Sequence, residues 1–145
     1  MNQKKFPIHE EILIVDDSRI VQSMMKKKLS AITKAKIVQA NNGADGLKIV
    51  KEASYVFRVI LLDLAMPILH GIEFMQQLRE LKDNKAETVV IALTGNQGNL
   101  SEAEMKDIGL NGVIIKPVDF NKLFNILNQI ANLPANHWYG VIDIV

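Results

Sequence analysis

The protein has 145 residues, with 17 lysines and arginines against 16 aspartates and glutamates, no cysteine and 48% hydrophobic residues. This length is typical of one domain with its own core, and the lack of cysteine excludes a disulfide scaffold, a thiolate nucleophile and a cysteine-bound zinc site. A net charge of +1 gives no bulk electrostatic reason to bind nucleic acid or an acidic membrane.

Five segments have the composition of β-strands. Four are short runs of isoleucine, valine and leucine without polar alternation, as expected of parallel strands that helices cover on both faces. The segment 36–40 has polar flanks, which indicates the edge of a sheet. The predicted strands are 12–15, 36–40, 59–62, 88–93 and 113–115.

Segments of helical length, with apolar residues three or four positions apart, alternate with these strands. Ser101 and Glu104 form a capping-box pattern, which predicts a helix that begins there and ends near Gly109. Pro134 would stop the last helix. The predicted helices are 18–31, 44–53, 72–81, 101–109 and 119–131.

Because strand and helix alternate five times, we expect one α/β domain with an open, doubly wound, five-stranded parallel sheet and five helices. A barrel would need eight such units. We assign residues 1–10 to a leader, 11–131 to the domain and 132–145 to an apolar C-terminal tail. The tail either packs on its own domain or is cut from a longer protein with an output module. Alternatively, it pairs with a neighbouring chain, as an added strand or a homodimer contact.

The apolar runs are far shorter than the roughly 20 residues that a bilayer-spanning helix needs. The first seven residues include two lysines, but no apolar stretch follows them, so they do not form a secretory signal. We therefore expect a soluble, cytoplasmic protein with no direct contact to membrane or nucleic acid.

Polar side chains follow four of the predicted strands. In an open parallel sheet the functional crevice lies beyond the carboxyl ends of the strands. Taken singly, each of these residues has an ordinary explanation, such as a helix cap, a turn or a surface charge. Their coincidence at four strand ends predicts a functional site. The residues are Asp16 and Asp17, Asp63, Thr94 and Lys116.

Three clustered carboxylates repel one another unless a cation neutralises them, and hard oxygen ligands favour Mg²⁺ over zinc. The three histidines, His9, His70 and His137, fall in the predicted leader, a loop and the tail, where they do not contribute ligands. A hydroxyl and a lysine beside such an ion suit a phosphoryl group. Since no serine, cysteine or histidine is among the residues predicted at the crevice, an aspartate is the candidate nucleophile and would form an acyl phosphate.

At this point the sequence resembles a known family, the response-regulator receiver domains of bacterial two-component phosphorelay signalling. The resemblance covers residues 11–131 and implies the flavodoxin-like strand order 2-1-3-4-5. The residues that carry it are Asp16-Asp17, Asp63 followed by Met66-Pro67 and Gly71, Thr94, and Lys116-Pro117.

The resemblance implies that Asp63 is the phospho-acceptor and that the donor is a phosphohistidine of a sensor histidine kinase or of a histidine phosphotransfer protein. It also implies a Mg²⁺ ion held directly by Asp17, Asp63 and the backbone carbonyl of Ala65. Asp16 would act on the ion mainly through water.

Two further roles follow from the resemblance. Lys116 would pair with the phosphoryl oxygens, and a cis peptide bond is expected before Pro117. The Thr94 hydroxyl would bond a phosphoryl oxygen and shift the loop 95–100. The result would be a changed binding surface, around the helix at Ser101 and around Val113, for a downstream protein.

The sequence departs from the family pattern at Val113, where receivers commonly carry an aromatic residue, and at His70, which replaces a common aspartate. Val113 leaves open a degenerate receiver that binds partners without phosphorylation. A Mg²⁺-dependent phosphatase would be a true enzyme, but such enzymes usually carry a second aspartate where this chain has Ala65. We expect a signalling domain that is not an enzyme, with only intrinsic self-phosphorylation and dephosphorylation chemistry.

Overall fold

A computed structural model of the chain describes residues 5–64, 68–95 and 100–132. Within them, strands and helices alternate along the chain. The strands are β1 (Ile8–Val15), β2 (Lys36–Ala40), β3 (Val56–Asp63), β4 (Val90–Thr94) and β5 (Gly112–Ile115). The helices are α1 (Arg19–Ser30), α2 (Gly43–Glu52), α3 (Ile68–Arg79), α4 (Glu102–Ile108) and α5 (Phe120–Ala131), and a single 3₁₀ turn spans Asn84–Glu87.

The five strands form one parallel sheet in the order β2-β1-β3-β4-β5. This arrangement confirms the predicted doubly wound, flavodoxin-like fold. Because β1, β3, β4 and β5 are consecutive in the sheet, their carboxyl ends form one continuous edge. The residues that follow these four strands are therefore neighbours in space.

Each face of the sheet has its own buried core, because successive side chains of a strand point to opposite faces. In β1, Leu13 and Val15 pack with side chains of α2 and α3, whereas Ile12 and Ile14 pack with side chains of α1 and α5. The strands are thus apolar on both faces, which explains why their sequences do not alternate with polar residues.

Local capping fixes where the helices begin and end. The Ser18 hydroxyl accepts a hydrogen bond from the Val21 N–H at 3.2 Å. The predicted capping box of α4 is present, since Ser101 and Glu104 each accept from the other's backbone N–H. Gly109 ends that helix with a φ of +92°, a left-handed conformation that favours glycine, as predicted for this position.

The first strand begins at Ile8, four residues before the predicted segment, so residues 8–10, assigned to the leader, belong to β1. They pair with the start of β3, and the register shifts between His9 and Ile12. The His9 ring stacks on Tyr55 with centroids 4.4 Å apart, and Glu10 pairs with Arg58. The sequence did not predict this part of the strand because its residues are polar. Aromatic and ionic pairs support it here instead of apolar burial.

The chain before β1 is held by the 3₁₀ turn. The Phe6 N–H donates to the Asn84 side-chain oxygen at 2.9 Å, and the Asn84 amide donates to the Phe6 carbonyl at 2.8 Å. The buried Lys85 ammonium donates to the carbonyls of Lys51 and Ala53 at the end of α2 and lies 4.2 Å from the centre of the Phe6 ring.

Other boundaries also differ from the sequence prediction, and β3 begins at Val56, three residues before the predicted segment. Helix α3 begins at Ile68, not at residue 72, so His70 lies in the first turn of a helix and not in a loop. The 3₁₀ turn was not predicted, and Thr88 precedes β4 because its hydroxyl donates to the Lys85 carbonyl at 2.6 Å. The predicted tail, apart from Asn132, lies outside the described residues.

Arg79 joins three segments near the end of α3. Its guanidinium donates to the carbonyls of Ala86 and Thr88, and to the Gly109 carbonyl through two nitrogens. The ends of α3 and α4 and the chain before β4 are thus fixed by one side chain.

None of the helices in the described part of the chain is both long enough and apolar enough to cross a membrane.

Candidate functional site

The carboxyl edge of the sheet places together the polar residues that the sequence singled out there. Asp16 and Asp17 follow β1, while Asp63 and Thr94 are the last residues of β3 and β4. Lys116 follows β5, and its backbone N–H donates to the Thr94 carbonyl at 2.6 Å.

The three carboxylates form one cluster. One carboxylate oxygen from each of Asp16, Asp17 and Asp63 lies within 4.8 Å of those of the other two. Asp16 and Asp63 are buried, with 0% and 2% of their surface exposed, whereas Asp17 is exposed. The cluster is therefore open to solvent on the side of Asp17.

Lys116 lies against the middle of this cluster. Its Nζ donates to Asp63 Oδ1 at 2.9 Å and lies 3.7 Å from Asp16 Oδ2. The peptide bond between Lys116 and Pro117 is cis, as predicted. One lysine charge against three carboxylates leaves an excess of negative charge at the edge of the sheet.

Burial raises the pKa of the Asp16 carboxyl, because the charged form loses its hydration. A hydrogen bond from the Ser18 N–H to Asp16 Oδ1 at 2.8 Å opposes this increase, as does the charge of Lys116, while the charge of Asp63 adds to it. Asp16 Oδ2 is buried and accepts no hydrogen bond from the residues that the structure describes.

The donor set fits a hard divalent cation. Three carboxylates within 4.8 Å of one another offer oxygen ligands only, and the buried Asp16 Oδ2 has lost its hydration without gaining a hydrogen-bond donor in the described chain. Mg²⁺ prefers such carboxylate oxygens and retains several waters, which the exposed side of the cluster allows. Ala65, whose carbonyl was predicted as a further ligand, lies outside the described residues.

Thr94 is buried, with 5% of its surface exposed, and its hydroxyl donates to the Gly95 carbonyl at 3.4 Å. This distance is long for a hydroxyl donor, so the hydrogen bond is weak and costs little to exchange for another. Val113 is half-buried and packs on the core that faces α2 and α3. The described chain thus places an aliphatic side chain where the family often has an aromatic ring.

One residue near the site was missed by sequence reasoning. Gln22 of α1 is 5% exposed, and its amide contacts carbonyls at the ends of β1 and β2. It shares a helix face with Met25 and Leu29, both fully buried. A polar residue at a core position of an amphipathic helix was the available signal.

Comparison with known proteins agrees with this geometry. Residues 12–128 match the family model of the response regulator receiver domain. Over 121 residues, the chain is 31% identical to the autoinducer 1 sensor kinase/phosphatase LuxN of Vibrio campbellii, a match that covers 83% of this chain and 13% of LuxN. It is 27% identical to the chemotaxis protein CheY of Listeria monocytogenes, covering 83% of this chain and 98% of CheY.

The structure of the chemotaxis response regulator CheY4 of Vibrio cholerae superposes with a TM-score of 0.70 at 25% identity, covering 86% of this chain and 98% of CheY4. By contrast, the chain spans 13% to 33% of the length of several larger relatives that it matches, among them LuxN and the regulator of RpoS of Escherichia coli. The family match covers most of the chain and includes all five residues at the edge of the sheet. The chain therefore belongs to the response regulator receiver domain family.

Proposed function

We propose that the protein is a phosphoryl-accepting receiver in which Asp63 takes a phosphoryl group from the phosphohistidine of a sensor histidine kinase or of a histidine phosphotransfer protein. The observation that carries this proposal is the position of Asp63, which lies in a cluster of three carboxylates with Lys116 Nζ 2.9 Å from its Oδ1. Lys116 lies closer to Asp63 than to Asp16. Its ammonium is therefore placed to pair with the phosphoryl oxygens that Asp63 would gain.

In the proposed step, a carboxylate oxygen of Asp63 attacks the phosphorus and the bond between phosphorus and the histidine nitrogen breaks. The electron pair of that bond remains on the imidazole, and Asp63 becomes an acyl phosphate. Lys116 then exchanges its contact with Asp63 Oδ1 for a phosphoryl oxygen, which keeps the ammonium paired before and after transfer.

Asp16, Asp17 and Asp63 would hold a Mg²⁺ ion, with the carbonyl of Ala65 as a further ligand. When bound, this ion offsets the charge that would otherwise repel the incoming phosphoryl oxygens. Three carboxylates, one lysine and one divalent ion are together neutral. Asp17 is exposed and lies on the open side of the cluster. The donor would approach Asp63 from that side.

Exposed apolar side chains beside the site support a protein as the donor. Ile20 and Met24 lie one turn apart on α1, are 82% and 41% exposed, and begin three residues after Asp17. Apolar surface next to a reactive group is typical of a site where another protein docks. We therefore infer that the donor contacts the start of α1 while its phosphohistidine reaches Asp63.

After phosphorylation, the Thr94 hydroxyl would leave the Gly95 carbonyl and donate to a phosphoryl oxygen. The change would pass to α4, none of whose residues is buried, so moving it exposes little core. The surface that a downstream protein binds would consist of α4 and the adjacent edge of β5. Because Val113 carries no ring, the shift of Thr94 and the loop after it would act alone.

The test is phosphotransfer from a labelled phosphohistidine protein and from a small phosphoramidate donor. We expect acid-stable, hydroxylamine-sensitive label on the unaltered protein that requires Mg²⁺, and none on Asp63→Asn. Asp107→Asn, an exposed aspartate of α4, is the matched control and should label normally.

Equal labelling of the unaltered protein and Asp63→Asn, or labelling of neither, would refute the proposal. The second result would favour a receiver that acts without phosphate. Continuous turnover of small phosphate esters would instead identify a phosphatase.

A further inference from the structure

Gln22 is a buried amide on a helix face that otherwise belongs to the core. Its neighbours on this face, Met25 and Leu29, are fully buried among aliphatic side chains. The Gln22 Oε1 atom is buried and accepts no hydrogen bond within the described part of the chain. An apolar side chain of equal length would fill the same space without that cost, so packing alone does not account for an amide here.

The Gln22 amide nitrogen binds the carboxyl ends of two strands. Nε2 lies 2.7 Å from the Ala40 carbonyl, 3.1 Å from the Asp16 carbonyl and 3.2 Å from the Ile14 carbonyl. The Asp16 N–H donates to the same Ala40 carbonyl at 3.1 Å. Gln22 therefore holds the point where β1 leaves the sheet, directly before Asp17.

These contacts orient the metal-binding acids. The Asp16 carbonyl belongs to the peptide group that joins Asp16 to Asp17, so fixing this oxygen fixes the plane from which both side chains depart. The helix that carries Gln22 is itself tied to the same turn, because the Gln22 N–H donates to the Ser18 carbonyl and the Ser18 N–H donates to Asp16 Oδ1. A closed loop of hydrogen bonds thus links Asp16, Ser18 and Gln22.

The cluster needs such a restraint. Carboxylates within 4.8 Å of one another repel, and the strand end is free to open unless other bonds hold it. Gln39 adds to the restraint on the helix, since its side-chain amide donates to the Gln22 backbone carbonyl at 2.8 Å. In the described part of the chain, the side-chain amide of Gln22 thus connects α1 to the ends of both β1 and β2.

We propose that Gln22 is a positioning residue of the magnesium site, whose amide holds the Asp16–Asp17 peptide group where both carboxylates face Asp63. This inference rests on the proposed function, because the ion is part of that proposal. Partners that orient metal ligands typically change metal affinity by about 10- to 100-fold when they are removed.

The test compares Gln22→Met, which keeps the length of the side chain and removes its donors, with the unaltered protein. Titration calorimetry with Mg²⁺ should give about 10- to 100-fold weaker binding for Gln22→Met. The matched control is Ile130→Val, a core change on α5, which should lose stability without losing Mg²⁺ affinity. If Gln22→Met does not fold, Gln22→Asn, whose amide is one methylene too short to reach the carbonyls, replaces it with the same expectation.

Two further readouts separate positioning from a general loss of structure. The Mg²⁺ concentration that half-saturates labelling by a small phosphoramidate should rise in Gln22→Met, while the labelling rate at saturating Mg²⁺ stays near that of the unaltered protein. In the absence of metal, the backbone amides of Asp17 and Ser18 in Gln22→Met should exchange with solvent faster than the same amides in Ile130→Val.

Gln22→Met with unchanged Mg²⁺ affinity would overturn the inference and leave the proposed function intact. An unaltered protein that binds no Mg²⁺ would overturn both.

Discussion

At the scale of single residues, the site depends on carboxylates that the fold holds close together at the edge of the sheet. Asp16 is fully buried, Asp63 nearly so, and one lysine serves both. The folded chain therefore stores electrostatic repulsion at the edge of the sheet, which a divalent cation relieves. The same repulsion that would favour a bound cation is unfavourable for the stability of the metal-free protein.

Replacing Asp16 by asparagine should stabilise the metal-free protein at neutral pH, by on the order of 1–3 kcal/mol, because it removes a buried charge. The raised pKa means that the folded state binds the Asp16 proton more tightly than the unfolded state. The free energy of unfolding therefore falls as pH increases from about 4 through the raised pKa. Urea denaturation in EDTA at several pH values should give this slope for the unaltered protein and a reduced slope for Asp16→Asn; equal slopes would contradict the prediction.

Mg²⁺ should stabilise the unaltered protein by mass action, by about 2.7 kcal/mol at a concentration 100 times its dissociation constant. The gain should be lost with EDTA and greatly reduced in Asp17→Asn, which removes the exposed ligand. Thermal unfolding with and without the ion measures both effects. Calcium-free buffers and the Asp107→Asn control exclude general salt effects. An equal gain in Asp17→Asn would show that Asp17 is not a ligand of the ion.

At the scale of elements, some boundaries depend on neighbouring residues in the sequence and others on contacts with distant residues. The sequence predicted the capping box of Ser101 and the glycine end at Gly109, because both depend on residues within one helical turn. It did not predict the start of β1 at Ile8 or the 3₁₀ turn at Asn84. Those boundaries depend on partners far along the chain, such as Tyr55 for His9 and Phe6 for Asn84.

Arg79→Lys should reduce the free energy of unfolding by about 1–3 kcal/mol, because lysine keeps the charge but cannot reach three separated carbonyls. Burial lowers the pKa of Arg79 to about 10, so the guanidinium is still charged at neutral pH. The loss should appear as faster amide exchange at Gly109 and Leu110. Arg19→Lys, on an exposed position of α1, should change neither quantity, and a similar loss in both variants would show that Arg79 has no special role.

At the scale of the whole molecule, the candidate site lies at the carboxyl ends of four consecutive strands, while the start of the described chain is held at the opposite edge of the sheet. The Phe6–Asn84 pair and the buried Lys85 link this start to the end of α2. Phe6 and residues 8–10 thus contact the rest of the sheet and its helices, which their largely polar surroundings in the sequence do not indicate.

Asn84→Ala should lower the free energy of unfolding by about 1–2 kcal/mol, since it removes two hydrogen bonds to Phe6. Amide exchange at Ile8 and His9 should accelerate more than exchange at the centre of β3. Asn41→Ala, on an exposed loop position, is the matched control. Unchanged exchange at Ile8 would show that the contact does not hold the strand.

The sequence by itself determined the fold class and five residues of the candidate site. Apolar runs of strand length and apolar stripes of helical spacing are local patterns, and a parallel sheet brings the residues after its strands to one edge. The roles of these five residues, of Ala65 and of the tail stay predictions. Only the tertiary structure decided the distances among Asp16, Asp63 and Lys116, the burial that raises the pKa of Asp16, and the bonds of Gln22. These depend on which segments meet in space, and a linear pattern carries no record of an amide that reaches from one helix to two strand ends.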